Sequence, residues 1–500
     1  MSKRKAFCPA VFVVNVVAWA KCFSNAQSGY QPSALTEPPP IQRTKGFCHR
    51  APIFFLSRRP DIRKQLVRCL SLLFVGPALS WAYDFPVSNP FLATVAGTPP
   101  EQQVKLNPMK VREAILGLAD ETVENAPDIF WDVTKPRFKL AWQEKKAPLI
   151  FIIAGTGGRF DTSKVEFLKR VYYQAGFHVI QISSPTSYDF VVSGSNTHRP
   201  GLTQQDSEDL YRLMKASVER AQSFRKVEIN GWYLTGYSLG ALNAAFVAQL
   251  DSEQKVFGFE RVLLLNPPVS LQRSIDNLDR LLMADVPGVD DSTTLFNHFF
   301  DKLADYFRTH KSIDLDESML FQVQKSPYAL SREELALLIG VSFRLSVASM
   351  YFTSDAMTWD SNLIPKDFKL KRSDSRTPYF KKAMLCSFQC YVDKVLIPYV
   401  IEQKPVHSSQ EGATSKQRRL LFEQNSLSHL EVWLKNARHV GVMHNADDFI
   451  IDQKGLDFLY DTFGRRIKIY PLGGHMGNLQ YHENVRDMLG FMKGKGFPDA

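Results

Sequence analysis

Cysteine is scarce, and what there is lies mostly away from the body of the chain. Of six cysteines, Cys8, Cys22, Cys48 and Cys69 precede residue 83, leaving only Cys386 and Cys390 beyond it. One Cys-x3-Cys pair with no histidine close in sequence does not make a tetrahedral metal site, so no metal is expected. On a helix the two would be neighbours one turn apart, which is the expected arrangement; pairing as a disulfide in an oxidising compartment stays open. Basic charge is also lacking where it would matter. The formal net charge is +10, but residues 1–82 hold 12 of the 61 Lys/Arg and only Glu37 and Asp61 of the 51 acidic residues. The remainder carries 49 charges of each sign, so nothing in the body's charge balance suggests a polyanion partner, and nucleic acid is not expected. There is no internal repeat.

The leader has a composition of its own. Arg58, Arg59, Arg63, Lys64 and Arg68 precede the apolar run from Leu70 to Leu79, then Ser80-Trp81-Ala82. A positive region, a short apolar run and small residues at −3 and −1 predict a secretory signal peptide cut after Ala82, and so a periplasmic or secreted protein. The run is too short to cross a bilayer comfortably. A second such pattern opens the chain, with Lys3-Arg4-Lys5 and Ala18-Trp19-Ala20, and the Pro-rich stretch between the two reads as disordered. A true start downstream of Met1 would explain two signals in series. A buried helix over 66–82 is the competing reading.

The body alternates between strand and helix patterns. Strands are predicted at Arg137–Trp142, Leu149–Ala154, His178–Ile182, Trp232–Leu234, Val262–Asn266, Val440–Met443 and Ile467–Tyr470. Continuous apolar runs such as Leu149-Ile150-Phe151-Ile152-Ile153 suit central parallel strands. Helices are predicted from Ser163, with Ser163 and Glu166 as a capping box and a stop at Gly176, and from Thr203, with Leu210, Met214 and Val218 on one face. The fold class is therefore α/β, with a doubly wound, mostly parallel sheet. Between the strands at 262–266 and 440–443 the pattern is helical, apart from a polar stretch over 403–418 that reads as a mobile loop. The domain reading is a leader at 1–82, a first core part at 83–269, a helical insertion at 270–435 acting as lid or cap, and a second core part at 436–500. A second packing domain with no active-site role is the alternative for the insertion.

One pentapeptide carries chemistry. Gly236-Tyr237-Ser238-Leu239-Gly240 follows an apolar strand and precedes the small, breaker-free run Ala241–Ala248. This G-x-S-x-G pattern is that of a nucleophile elbow, a strand-to-helix turn so tight that glycines must flank the serine. A serine hydroxyl needs a base, and the base needs a group to orient it. The partners of such an elbow follow in the order serine, acid, histidine. A carboxylate, Asp447 or Asp448, follows the strand at 440–443; His475, in Gly473-Gly474-His475, follows the strand at 467–470. His482 is the weaker histidine candidate.

Elbow, strand-end acid and Gly-Gly-His in this order resemble the α/β-hydrolase superfamily over roughly residues 137–490. The resemblance implies that fold, with the insertion as a lid or cap. The family's late loop reads Gly-x-x-Asp, which on Asn445-Ala446-Asp447-Asp448 makes Asp448 the acid, although Asn445 stands for glycine and Asp447 remains open. Charge on a tetrahedral intermediate needs fixed N–H donors. The resemblance implies one from Leu239 and one from the loop Gly155-Thr156-Gly157-Gly158, Thr156 first and Gly157 second; Ala154-Gly155 replaces the family's His-Gly. A phosphate cradle is the competing reading of that loop, against which stands the absence of a lysine and of the Gly-x4-Gly-Lys spacing.

The reading is a secreted or periplasmic serine hydrolase of the esterase, lipase or thioesterase kind, using Ser238, His475 and Asp448 and no cofactor. The expected partner is a small-molecule or lipid-like ester substrate, with transient membrane-surface contact left open. Alternatives are a catalytically inactive envelope-binding protein on the same fold, or a peptidase or amidase. The insertion aromatics Phe296, Phe299, Phe300, Tyr306, Phe307, Tyr351, Phe352 and Trp359 line an acyl pocket in one reading and form the insertion's own core in the other. Polar loops at 183–187 and 193–201 shape the substrate mouth or are plain surface.

Overall fold

The computed structural model describes residues 83–289, 294, 298, 301–302, 319–403 and 410–497. The leader with its signal-like segments and four cysteines lies outside the described residues, as do Phe296, Phe299, Phe300, Tyr306 and Phe307. A unit over Val13–Asp84 is thus almost wholly outside them, and Phe85 opens the unit described below.

Eight strands form one sheet: β1 Glu113–Gly117, β2 Arg137–Ala141, β3 Ala147–Ile153, β4 His178–Ile182, β5 Ile229–Tyr237, β6 Arg261–Leu265, β7 Val440–Asn445 and β8 Ile467–Tyr470. Their order is β1-β2-β4-β3-β5-β6-β7-β8. Strand β2 runs antiparallel to both β1 and β4, and every pair from β4 to β8 is parallel. The burial patterns explain the apolar runs. All of β4 and β7 and six of the seven residues of β3 are buried, since helices cover both faces of these strands. Phe151, fully buried in β3, meets Trp232, Phe257 and Phe259 in an aromatic cluster. Burying such a ring contributes about 1.5–3 kcal/mol.

Four sequence expectations change. Strand β1 was not predicted; it is an edge strand in which only Leu116 is buried, so it has almost no apolar signature. The helix Ser163–Gln174 begins where expected, but without a capping box. Thr162 is its cap residue, and the Glu166 carboxylate turns instead to Lys139 at 2.9 Å, Lys169 at 2.6 Å and Gln181 at 2.9 Å. Two ammonium groups and an amide outcompete one backbone N–H. A complete capping box appears at Ser331 and Glu334, opening the insertion helix Arg332–Thr358. Residues 410–418, expected in a mobile loop, belong to the helix Gln410–Gln424, anchored at its far end by buried Leu421 and Phe422. Cys386 and Cys390 are joined as a disulfide rather than stacked as helical neighbours. Ser387 caps the helix Phe388–Tyr391, so Cys386 lies before it and is free to turn toward Cys390.

The insertion aromatics that are described belong to its core. Tyr351 and Phe352 are 2% exposed, and Phe352 packs on Phe130, Tyr379 and Phe380. Trp359 packs against the same cluster and donates its Nε1–H to the carbonyl of Phe368. The helix Arg332–Thr358 is long and apolar enough to cross a membrane, but 56% of its most apolar window is buried inside the fold, as in a core helix.

Candidate active site

Parallel strands end together, so residues just past their C-termini converge on one edge of the sheet. Ser238 follows β5, Asn266 follows β6, Asp448 lies three residues beyond β7, and His475 lies five beyond β8.

The elbow is as tight as its glycines require. Ser238 has φ 53° and ψ −127°, a sparsely populated conformation for a residue with a side chain. A Cβ on Gly236 would stand 2.1 Å from the Gly240 carbonyl oxygen, and one on Gly240 would stand 2.4 Å from the carbonyl oxygens of Ile153 and Ala154. Backbone supplies both obstacles, so no rotamer change relieves them. The Ser238 N–H donates to the Leu265 carbonyl at 2.8 Å, and the Asn266 N–H to that of Met443 at 2.8 Å, which ties the elbow to the two neighbouring strand ends.

From there the side chains connect in line. Ser238 Oγ lies 2.8 Å from His475 Nε2, and His475 Nδ1 lies 2.9 Å from Asp448 Oδ2. Asn266 donates its Nδ2–H to the same Asp448 oxygen at 2.8 Å, and the Ile450 N–H donates to Oδ1 at 3.1 Å. Burial alone would lift the pKa of Asp448. The charge and hydrogen bond of His475 act against it, with His444 and Asn266 adding, and hold the carboxyl below its ordinary range. An ionised Asp448 selects the histidine tautomer with the proton on Nδ1, leaving Nε2 as the acceptor facing Ser238. His444, fully buried in β7, lies 3.9 Å from Asp448, and burial lowers its pKa while the Asp448 charge acts against that.

Asp447 does other work. Its two oxygens accept the N–H groups of Gly473 at 3.1 Å and Gly474 at 2.8 Å, so it shapes the loop that carries His475. Asn445, where the family pattern has glycine, braces the same loop. Its amide donates to the Gly474 carbonyl at 2.8 Å and exchanges hydrogen bonds with Asn478 at 3.0 and 2.7 Å. His482 begins the helix His482–Met492 and is not part of this line of contacts.

The loop 155–158 narrows the oxyanion choices. The Gly157 N–H is spent on Thr186 Oγ1 at 2.8 Å. The Thr156 N–H has no acceptor among the described residues, and that of Leu239 opens a helix, where no earlier carbonyl exists to receive it. The polar run 183–187 is neither mouth nor surface. It is buried and holds the glycine loop from behind, with the Ser184 N–H on the Gly158 carbonyl at 2.8 Å and Ser183 Oγ accepting the Phe160 N–H at 3.0 Å. In the later run, Ser193 and Ser195 are also buried, while Asn196 is exposed and its N–H reaches Asp209. The insertion comes close here: Ser346 Oγ lies 3.1 Å from where a Gly157 Cβ would sit.

Sequence reasoning missed Thr94. It lies on the short helix Pro90–Ala96, capped by Asn89, and its Oγ1 accepts the His475 N–H at 2.8 Å while donating to the Pro90 carbonyl at 2.7 Å. Phe91 on this helix packs on Phe449, which in turn packs on His475. No local pattern marks a threonine whose partner is 381 residues away. Asn266, whose φ is 47°, carried a signal as a polar residue closing an otherwise apolar strand run.

Strand order, a single reversed strand at β2 and the elbow after β5 define an α/β-hydrolase fold with a helical insertion between β6 and β7. No protein-family model matches the chain, and no curated protein is similar to it. Solved structures that resemble it include the thioesterase domain from the curacin biosynthetic pathway, at 12% identity over 77% of this chain and all of that one, TM-score 0.32. The proline iminopeptidase of Mycobacterium smegmatis aligns at 12% identity over 77% and 98%, TM-score 0.33. The rice cell wall degrading esterase LipA from Xanthomonas oryzae aligns at 14% over 76% and 87%, TM-score 0.34. At such scores the likenesses add nothing to what the strand order already says.

Proposed function

We propose that this chain is a serine hydrolase that cleaves carboxylic ester or thioester bonds through an acyl-enzyme intermediate. The observation that carries the reading is the unbroken line from Asn266 through Asp448 and His475 to Ser238, which ends on a strained elbow serine. In the proposed reaction His475 Nε2 takes the Ser238 proton as Oγ attacks the carbonyl carbon. The oxyanion that forms is held by the N–H groups of Thr156 and Leu239. Collapse breaks the bond to the leaving alcohol or thiol, which takes the proton from His475. A water then repeats the sequence on the acyl-serine and returns the free hydroxyl. Ionised Asp448 stabilises the histidine while it is charged. The compartment belongs to the same proposal: a periplasmic or secreted enzyme released from its leader after Ala82.

An inactive binding protein on this fold drew on two departures from the family pattern, Ala154 and Asn445. The hydrogen bonds of Asn445 to the His475 loop give that residue a role in an intact site, which weakens that alternative. The test is turnover of a panel of p-nitrophenyl esters of rising chain length, with a thioester and an anilide beside them. Turnover that Ser238→Ala abolishes supports the hydrolase. A faster anilide than ester would move the reading to a peptidase or amidase, and no turnover of any member by folded protein would count against an enzyme.

A further inference from the structure

Beyond residue 82 the chain carries equal numbers of positive and negative residues, yet one strip of the insertion does not. Between residues 366 and 382 stand seven exposed cations, Lys366, Lys369, Lys371, Arg372, Arg376, Lys381 and Lys382, against only Asp367 and Asp374. Among the described residues, ion pairs of the surrounding insertion such as Arg199–Asp360, Lys302–Glu334, Arg344–Asp279 and Arg418–Asp393 use none of Lys366, Lys369, Lys371, Arg372, Arg376 and Lys382. The Asp374 carboxylate is turned to the Lys371 backbone N–H at 2.8 Å.

The strip is fixed to the body and not merely draped over it. The Ile129 N–H donates to the Leu370 carbonyl at 3.2 Å, Leu370 is 1% exposed, and Arg376 reaches back to the Ile129 carbonyl. Two large apolar side chains accompany the cations. Trp131 is 55% exposed with the Arg372 guanidinium 3.9 Å above its ring, and Phe368 is 45% exposed.

We infer that this strip docks the protein on an anionic lipid surface. Cations alone would suit any polyanion. Exposed Trp and Phe among them match instead the boundary where headgroups meet acyl chains, in which an aromatic ring is favoured and a lysine can reach the phosphates. The inference stands whether or not Ser238 is a nucleophile.

Each basic residue near an anionic leaflet contributes about 1 kcal/mol, or roughly 5-fold in binding. Replacing three of them, Lys366→Gln, Lys369→Gln and Lys371→Gln, should weaken docking about 100-fold. All three side chains are exposed, so folding should be indifferent.

Residues 1–82 are themselves cationic, so the readout must be local. Amide hydrogen exchange on the full chain would be compared with phosphatidylcholine vesicles and with vesicles also containing phosphatidylglycerol. The expected result is protection over 127–133 and 365–382 only with phosphatidylglycerol, removed by added salt and by the triple variant. Trp131→Ala with Phe368→Ser should weaken it as well. No protection of these segments would overturn the inference, as would protection that ignores phosphatidylglycerol. Equal protection by soluble polyglutamate, unaffected by loss of the two aromatics, would also overturn it and assign the strip to an acidic protein.

Discussion

Thr94→Val removes one oxygen from a helix that does not touch the reacting atoms, yet it should slow the reaction. In the structure the Thr94 hydroxyl is the acceptor for the His475 N–H at 2.8 Å. Valine has the same shape and no acceptor. The Pro90 carbonyl, which also receives that hydroxyl, can still serve its helix. The loss therefore falls on the His475 N–H, which is left without a partner in a partly buried site at a cost of about 1–3 kcal/mol. Part of that cost is relieved as the loop shifts, and a shift of the imidazole relative to Ser238 enters the barrier directly. Taking about 1.4 kcal/mol of it into the transition state gives roughly a 10-fold fall in kcat. KM should hardly move, because Thr94 makes no contact with the substrate in this account. The assay is p-nitrophenyl ester hydrolysis, with thermal unfolding run beside it to separate positioning from loss of structure. Thr94→Ser, which keeps the hydroxyl, should restore the rate to within about 2-fold. A valine variant as fast as the parent chain would refute the reasoning. So would a serine variant as slow as valine, since packing and not the hydrogen bond would then matter.

Asp448→Asn should cost about 10⁴-fold in kcat, because an amide no longer selects the tautomer with Nδ1 protonated, whereas Asp447→Asn, which keeps one acceptor for the glycine loop, should cost less than about 10-fold; the reverse ranking in the same ester assay would transfer the acid role. Asp206 offers a stability test. Burial, opposed by the Gly201 N–H and reinforced by nearby Asp209, lifts its carboxyl from 3.8 to about 8. The folded chain therefore keeps a proton that the unfolded chain releases, and stability should decline as pH rises from about 4 to about 8. Asp206→Asn should show a thermal midpoint that declines less over that range, and parallel curves for the two proteins would show that Asp206 is not the cause.

What could be read in the sequence, and what could not, follows from how far each signal reaches. Strands β3, β4, β6 and β7 are buried on both faces and announce themselves as largely apolar runs, and β8, half-buried at the edge, shows an alternating one. The edge strand β1 buries one side chain and stays silent. The helix Gln410–Gln424 was hidden because its sequence is mostly polar and its buried apolar pair, Leu421 and Phe422, comes only near its far end. At the site, Ser238 and its glycines are a local motif whose steric logic is complete within five residues. Asp448 and His475 were found through the order of strand ends. The choice between Asp447 and Asp448 needed a resemblance, because adjacent carboxylates on one turn look alike until the histidine loop folds over them. The contacts of Thr94, of Asn478 with Asn445 and of Ser183–Thr186 with the glycine loop join segments brought together only by the closed sheet. The Cys386–Cys390 bond depended on where a helix begins, which two cysteines four apart do not reveal.

The central claim, that Ser238 is a nucleophile activated by His475, is tested most directly by treating the folded protein with a fluorophosphonate probe and mapping the adduct by mass spectrometry. The account expects one adduct, on Ser238, with labelling lost in Ser238→Ala and strongly slowed in His475→Ala. Folded protein that takes no label, or takes it on another serine, would contradict it.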